Sequence, residues 1–127
     1  CLDTTFSKKH GKRPHSWTCN SNSPNQQFRA DYVDSTWFQL VNPRNKMCLA
    51  IGSAEKKDGA YLIQWPCDKS YTDQRWSRID ADGGRFLLKA QHSGKCIDLY
   101  RGRKGNKHKF VQWTCGKTNK NQRFRLK

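Results

Sequence analysis

His15-Ser16-Trp17-Thr18-Cys19, Ile63-Gln64-Trp65-Pro66-Cys67 and Val111-Gln112-Trp113-Thr114-Cys115 are one stretch written three times, each copy 48 residues after the last. Outward from it the same register holds. Gln26, Gln74 and Gln122 follow at the same interval, each with an aromatic two residues later: Phe28, Trp76 and Phe124. Upstream, the units open as Cys1-Leu2-Asp3, Cys48-Leu49-Ala50 and Cys96-Ile97-Asp98. Chance does not keep so many positions in step across three copies. The chain is a threefold internal repeat, with units at about 1–36, 37–84 and 85–127, and function is to be read by comparing the copies.

A chain of 127 residues is one domain with room for a single modest core. Leu, Ile, Val and Phe contribute only 21 residues, and the net charge is +15. That pairing is ordinarily a signature of disorder. Five Trp and four Tyr restore apolar surface, and six Cys can cross-link the chain. Six cysteines allow fifteen connectivities, of which the repeat selects Cys1–Cys19, Cys48–Cys67 and Cys96–Cys115, since other schemes break the symmetry. Each such loop stabilises the fold by roughly 3 kcal/mol in the chain-entropy model. Structural disulfides imply an oxidising compartment, so the expected setting is secreted or extracellular. Zinc is the weaker reading, because no CxxC occurs and the four His ignore the repeat. No apolar run approaches the ~20 residues of a membrane span. Segments 37–47 and 85–95 lead into the second and third units, and the first has no such lead-in. A strand of similar length is therefore expected upstream of Cys1.

Apolar residues fall in short runs rich in aromatic and β-branched side chains, at 37–41, 47–51, 60–65, 86–90, 96–100, 110–113 and 124–126. Turn clusters such as Asn42-Pro43-Arg44-Asn45 and Asp80-Ala81-Asp82-Gly83-Gly84 separate them. Short strands at this spacing predict an all-β barrel or sandwich, and four strands per unit, repeated three times, predict closure with no exposed edge.

The succession Cys-Leu-Asp, Trp-x-Cys, Asn-Gln-x-Phe/Trp resembles the R-type lectins, the ricin B-chain-like β-trefoils. Their Gln-x-Trp triplet stands here as Gln26-Gln27-Phe28, Gln74-Arg75-Trp76 and Gln122-Arg123-Phe124, and the likeness spans all three units. The resemblance implies a β-trefoil with a shallow sugar pocket per repeat, for galactose or its N-acetylated amine. It also implies roles for particular residues. The Asp after the first cysteine accepts bonds from two hydroxyls, the aromatic before the second cysteine stacks on the ring, and the Asn before the triplet bonds another hydroxyl. The chemistry fits: a carboxylate makes short charge-assisted bonds, and an aromatic face covers the sugar's C–H patch.

Scored this way, the first repeat is complete, with Asp3, Trp17, Asn25 and Gln26, and with His15 at a polar contact position. The third is complete too, with Asp98, Trp113, Asn121 and Gln122. The second has Ala50 in place of the carboxylate and Asp73 in place of the Asn, while Trp65 remains. Two competent sites and one dead one are expected. Phe28, Trp76 and Phe124 are expected in the core. The three Gln, which persist even in the damaged repeat, carry a fold role before a ligand role.

Charge follows the same division. The first repeat's loop carries Lys8, Lys9, Lys12 and Arg13, and the third's carries Arg101, Arg103, Lys104, Lys107 and Lys109. The second repeat's Glu55, Lys56, Lys57 and Asp58 cancel. Basic loops beside the two intact pockets suggest extension toward sulfated or sialylated glycans, or toward an anionic cell surface. Catalysis is not expected: Glu55 is the only Glu, no carboxylates pair for acid–base work, and Asp80 to Gly84 reads as a turn rather than a calcium loop. No cofactor is implied. The leading reading is a non-catalytic, cell-surface-targeting lectin module of a larger secreted or toxin-like protein, with a catalytic domain or subunit as a further partner. The competing reading is a basic trefoil that binds nucleic acid or heparin-like polyanions by charge. A protease inhibitor on the same fold lacks an exposed-loop signature.

Overall fold

In a computed structural model of the chain, which describes residues 1–126, the recurring positions are those that build the strand ladders. The strands are β1 (Leu2–Asp3), β2 (His15–Ser16), β3 (Arg29–Tyr32), β4 (Phe38–Val41), β5 (Met47–Ile51), β6 (Leu62–Pro66), β7 (Trp76–Asp80), β8 (Phe86–Ala90), β9 (Cys96–Leu99) and β10 (Phe110–Trp113). Short 3-10 turns separate them, and no described helix is long and apolar enough to cross a membrane. All strand pairs are antiparallel. β1 pairs with β2, and the larger sheet runs β10-β9-β8-β7-β4-β5-β6 with β3 against β4. The expected all-β trefoil is the fold the chain adopts, and the three disulfides join the cysteines within each repeat.

Four strands escape the apolar-run reading: the two-residue β1 and β2, and the longer β3 and β7. β3 buries little, and β7 buries little beyond its first residue, Trp76, so their sequences look like loops. What holds them is pairing: β7 with β8 along five positions, β3 with β4 along four. Each also carries an Arg–Asp pair two residues apart, Arg29 Nε to Asp31 Oδ1 at 2.6 Å and Arg78 Nε to Asp80 Oδ1 at 2.7 Å. At the chain's far end, Phe124 makes an isolated bridge to Phe86 rather than a strand. Asp82–Gly84 is a 3-10 turn, as its glycines indicated.

The buried core comes from the second and third repeats, with Phe38, Leu49, Ile51, Leu62, Trp76, Leu88, Ile97 and Phe110, while Leu2 and Phe28 of the first repeat and Phe124 of the third pack against it. Trp76 is fully buried, and its indole Nε1 donates to the Leu49 carbonyl at 3.1 Å. The two Phe equivalents are only partly buried, so one large aromatic at the centre is flanked by two smaller ones.

Closure is cyclic. The Gln64 amide donates to Lys12 O at 2.9 Å, the Gln112 amide to Ala60 O at 2.9 Å, and the Ser16 amide to His108 O at 2.7 Å. Each repeat's long loop thus lies against the Trp-bearing strand of the next repeat, and the third returns to the first. Buried side chains secure the arrangement. Gln64 Nε2 donates to Ser7 O and Lys9 O, and Gln112 Nε2 donates to Glu55 O and Lys57 O. At the seam between third and first repeats, Ser16 Oγ donates to Gly105 O at 2.8 Å.

Candidate functional site

The antiparallel pairing Asp3↔His15, with the Trp17 amide donating to Cys1 O at 2.9 Å, aligns Asp3, His15 and Trp17 on one face, because alternate residues of a strand share a side. The third repeat repeats this with Asp98↔Val111 and Cys96↔Trp113. Asp3 and Asp98 are buried, and Trp17, Trp65 and Trp113 are similarly exposed, at 38%, 39% and 44%. The first and third repeats thus each carry an exposed indole and a buried carboxylate. The matching exposure of Trp65 means the aromatic wall survives where the carboxylate does not.

The glutamines stand behind the carboxylates. Gln26 Nε2 donates to Asp3 Oδ2 at 3.0 Å and to Thr18 O at 2.9 Å, while its Oε1 accepts from the Asn20 amide at 2.9 Å. Gln122 Nε2 donates to Asp98 Oδ2 at 2.9 Å and to Thr114 O at 3.0 Å, and its Oε1 accepts from the Gly116 amide at 2.9 Å. Gln74 keeps the main-chain bonds, to Pro66 O and from the Asp68 amide, and accepts from Gln39 Nε2 at 3.1 Å. The Gln side chain therefore ties the Trp-x-Cys segment to the 3-10 turn in every repeat. Its grip on the carboxylate is an addition confined to the repeats that have one. Both donor hydrogens of Gln26 and Gln122 are used within the fold.

Asp3 Oδ1 also accepts from the Thr5 amide at 2.7 Å. An ionised carboxylate has about four acceptor positions, so Asp3 retains capacity for further donors. His15 lies beside it, Nε2 to Oδ1 at 4.0 Å, and stacks on Trp17 with ring centroids 5.3 Å apart. Burial lowers the His15 pKa from its ordinary 6.5; Asp3 opposes that, and Lys12 and Lys107 reinforce it. Burial raises the Asp98 pKa above 3.8, against the hydrogen bonds from Gln122 and Asn121, with the Asp58 charge adding to the rise.

Asn121 hydrogen-bonds the Asp98 carboxylate, whereas the Asn25 side chain is held by an arginine. Asn25 Oδ1 accepts from Arg44 Nε at 2.8 Å, and Arg44 also donates to Thr5 O at 3.2 Å and lies over the Phe6 ring at 5.3 Å. Asn121 is packed on Gly102, where any Cβ would overlap its Oδ1. Arg44 and Gly102 are site-shaping residues that the motif does not contain. Arg44 lies in a turn recognised only as a turn, and Gly102 in a segment read only for its charge.

At the second repeat lies a cavity of ≈ 760 Å³, with Ala50, Tyr61, Trp65, Tyr71 and Asp73 among its lining residues. Burial raises the Asp73 pKa, and the nearby His92 acts in the opposite sense. The carboxylate on β5 is gone, and another stands on the 3-10 turn across the cavity.

The loops do not serve their own repeats alone; each also lies against the next repeat. A Cβ on Gly11 would lie 3.8 Å from Trp65, and one on Gly59 would lie 3.7 Å from Trp113, so each loop packs on the next repeat's Trp. The physical reason is the cyclic pairing. Lys12 and Arg13 reach the seam with the second repeat, and Arg13 lines its cavity. Lys107 and Lys109 are delivered to the first repeat, and the third pocket receives the second repeat's Asp58, which accepts from the Thr114 amide at 2.8 Å. Lys8, Arg101, Arg103 and Lys104 are exposed, with Arg101 over Tyr100 at 5.0 Å.

The family model described as the ricin-type beta-trefoil lectin domain matches residues 1–124. Among solved structures, the chain is similar to the designed threefold-symmetric protein ThreeFoil, at 26% identity and TM-score 0.90, over 98% of this chain and 87% of that one. It is also similar to the exo-beta-1,3-galactanase 1,3Gal43A of Clostridium thermocellum, at 25% identity and TM-score 0.89, over 98% of this chain and 27% of that one. The hemolytic lectin CEL-III shares the fold, with 23% identity and TM-score 0.73, over 99% of this chain and 27% of that one. The chain thus spans about a quarter of the latter two. No curated protein matches it in sequence.

Proposed function

Because the chain belongs to the ricin-type beta-trefoil lectin family, we propose that it is a non-catalytic module that binds galactose- or GalNAc-type glycans through its first and third repeats. The observation that carries this reading is the pair of buried carboxylates, Asp3 and Asp98, each gripped from behind by a Gln and facing an exposed Trp. Asp3 and Asp98 accept from sugar hydroxyls, Trp17 and Trp113 stack on the ring, and His15, Asn25 and Asn121 make polar contacts. Gln26 and Gln122 act as positioning residues. The second repeat, without a carboxylate on β5, does not take the same sugar.

The three disulfides support an extracellular setting. The short share of the galactanase and of CEL-III that the chain covers supports a targeting role within a larger protein.

Titration calorimetry with a monovalent galactoside tests the assignment. Two equivalents are expected per chain, and one after either Asp3→Ala or Asp98→Ala; an unchanged stoichiometry in both variants sinks it. The third site should also respond to acid in a particular way. The Asp98 pKa is raised by burial, so this carboxylate gains its proton at a higher pH than an ordinary Asp. In the Asp3→Ala chain, where only the third site remains, affinity should fall as pH drops through that raised value. The effect on folding has the opposite sign. The buried charge opposes folding above the raised pKa, and protonation relieves it, so this group makes the fold relatively more stable as pH falls through that window.

A further inference from the structure

The first-repeat pocket borders a second, charged cleft that no single repeat builds. A cavity of ≈ 550 Å³ is lined by Lys9, Lys12 and Arg13 from the first repeat's loop and by Lys107 and Lys109 from the third's. Thr5 and His15 line it too, and these two residues meet the Asp3 carboxylate, by the Thr5 amide bond at 2.7 Å and the His15 approach at 4.0 Å. A sugar whose hydroxyls reach Asp3 therefore projects its neighbouring substituents toward the cations.

Among the described residues none of these five cations pairs with a carboxylate. Arg13 and Lys109 both approach the Tyr61 ring, with Arg13 Cζ 3.7 Å and Lys109 Nζ 5.5 Å from its centroid. Like charges brought together without a counterion raise the potential of a cleft and favour an anion there. The backbone adds a separate observation. Lys107 has φ +68 and donates its amide to Ser16 O at 2.8 Å, the role played by Gly11 (φ +80) on Gln64 and by Gly59 (φ +89) on Gln112. Two copies use the residue suited to the left-handed region, and the third places a lysine there at conformational cost.

The third pocket is built the other way. Its incoming loop presents Asp58, whose carboxylate is bonded to Thr114 and lies 3.9 Å from Lys95 Nζ. Its own Arg101 is folded over Tyr100.

We propose that the cleft between the first- and third-repeat loops is an anion subsite of the first-repeat pocket, giving that pocket preference for a galactoside bearing a sulfate ester or a sialic acid carboxylate, while the third-repeat pocket takes the neutral sugar. The proposal rests on the lectin reading above and divides its two sites by charge.

The test is equilibrium binding of the full chain to a neutral galactoside, its O-sulfated form and its sialylated form, at low and moderate salt. At low salt the wild type should prefer an anionic form by about tenfold, the scale of one charge-assisted hydrogen bond. Moderate salt should shrink that ratio. The variant Lys107→Gly with Lys109→Ala restores the glycine of the other repeats, so it should fold. It should bring the ratio close to one and leave neutral binding unchanged. Asp3→Ala should remove the anionic preference, and Asp98→Ala should keep it. Comparing the sulfated and sialylated arms identifies which anion is read. A ratio near one in the wild type overturns the proposal, as does a ratio that survives Lys107→Gly/Lys109→Ala. It also falls if that variant loses retention on heparin or an oligonucleotide while the glycan ratio stays constant. Neutral binding by the wild type reports on the lectin reading separately, so failure of one is not confused with failure of the other.

Discussion

Replacing Asp3 and Asp98 together with alanine is expected to abolish attachment to a galactoside-coated surface. Each carboxylate accepts from two sugar hydroxyls in the proposed site, and hydrogen bonds to a charged group contribute about 1.5–3 kcal/mol each. Loss of both bonds weakens a single site by at least roughly a hundredfold. A shallow site starts weak, so that loss takes it below detection. The surface experiment adds a second effect: two linked sites gain about 10²–10⁴ in avidity, and either single variant forfeits that gain. Single variants should therefore release the surface quickly, and the double variant should not bind. Both substitutions also strip a partner from a Gln Nε2, and at Asp3 from the Thr5 amide. A stranded buried donor, as at Gln122, costs about 1–3 kcal/mol of stability, and the partly exposed donors of Gln26 and Thr5 cost less. A thermal melt beside the surface plasmon trace separates unfolding from loss of the site. A folded double variant that still binds would remove these two carboxylates from the mechanism.

The largest stability effect is expected at Trp76. Truncation of a buried Trp to Ala costs about 3–5 kcal/mol through lost transfer energy and the cavity left behind. Here the Leu49 carbonyl also loses its indole donor. Domains of this size are stable by only about 5–15 kcal/mol. Trp76→Ala should therefore lower the melting temperature by roughly 15–20 °C, and Trp76→Phe, which installs the side chain used at positions 28 and 124, should lower it far less. Urea denaturation followed by tryptophan fluorescence would check the order. Equal losses in the two variants would mean that the indole's hydrogen bond, rather than its volume, is what matters at the centre.

Most of the architecture was legible because symmetry made it so. Three copies of Trp-x-Cys set the disulfides, and 47–51, 86–90 and 110–113 coincide with β5, β8 and β10. β3 and β7 were not legible, because pairing with β4 and β8 holds them rather than a run of apolar residues, Trp76 excepted. At the site, the persistence of Gln74 beside Ala50 already pointed to a fold role for the Gln, and its bonds to Pro66 and Asp68 give that role a geometry. Arg44 was hidden because it reaches Asn25 across 19 residues from a turn with no site signature. The handing of each loop to the next repeat was hidden for a deeper reason. Spacing within a repeat says which residues share a unit, and carries no information on which unit lies beside which pocket.

The seam between the third and first repeats has a kinetic consequence. Its bonds span 89 and 92 residues, from Ser16 Oγ to Gly105 O and from the His108 amide to Ser16 Oγ. Contacts so distant along the chain are slow to form, since the closing entropy is lost before the contact rewards it. The seam should thus close late in folding, and its amides should exchange with solvent sooner than those of β5. The basic cleft lies on that seam, so it exists only in chains that have completed the ring. An anion bound there would fasten the two ends of the fold to each other, slowing its opening and protecting the outermost repeats from proteolysis on an anionic cell surface.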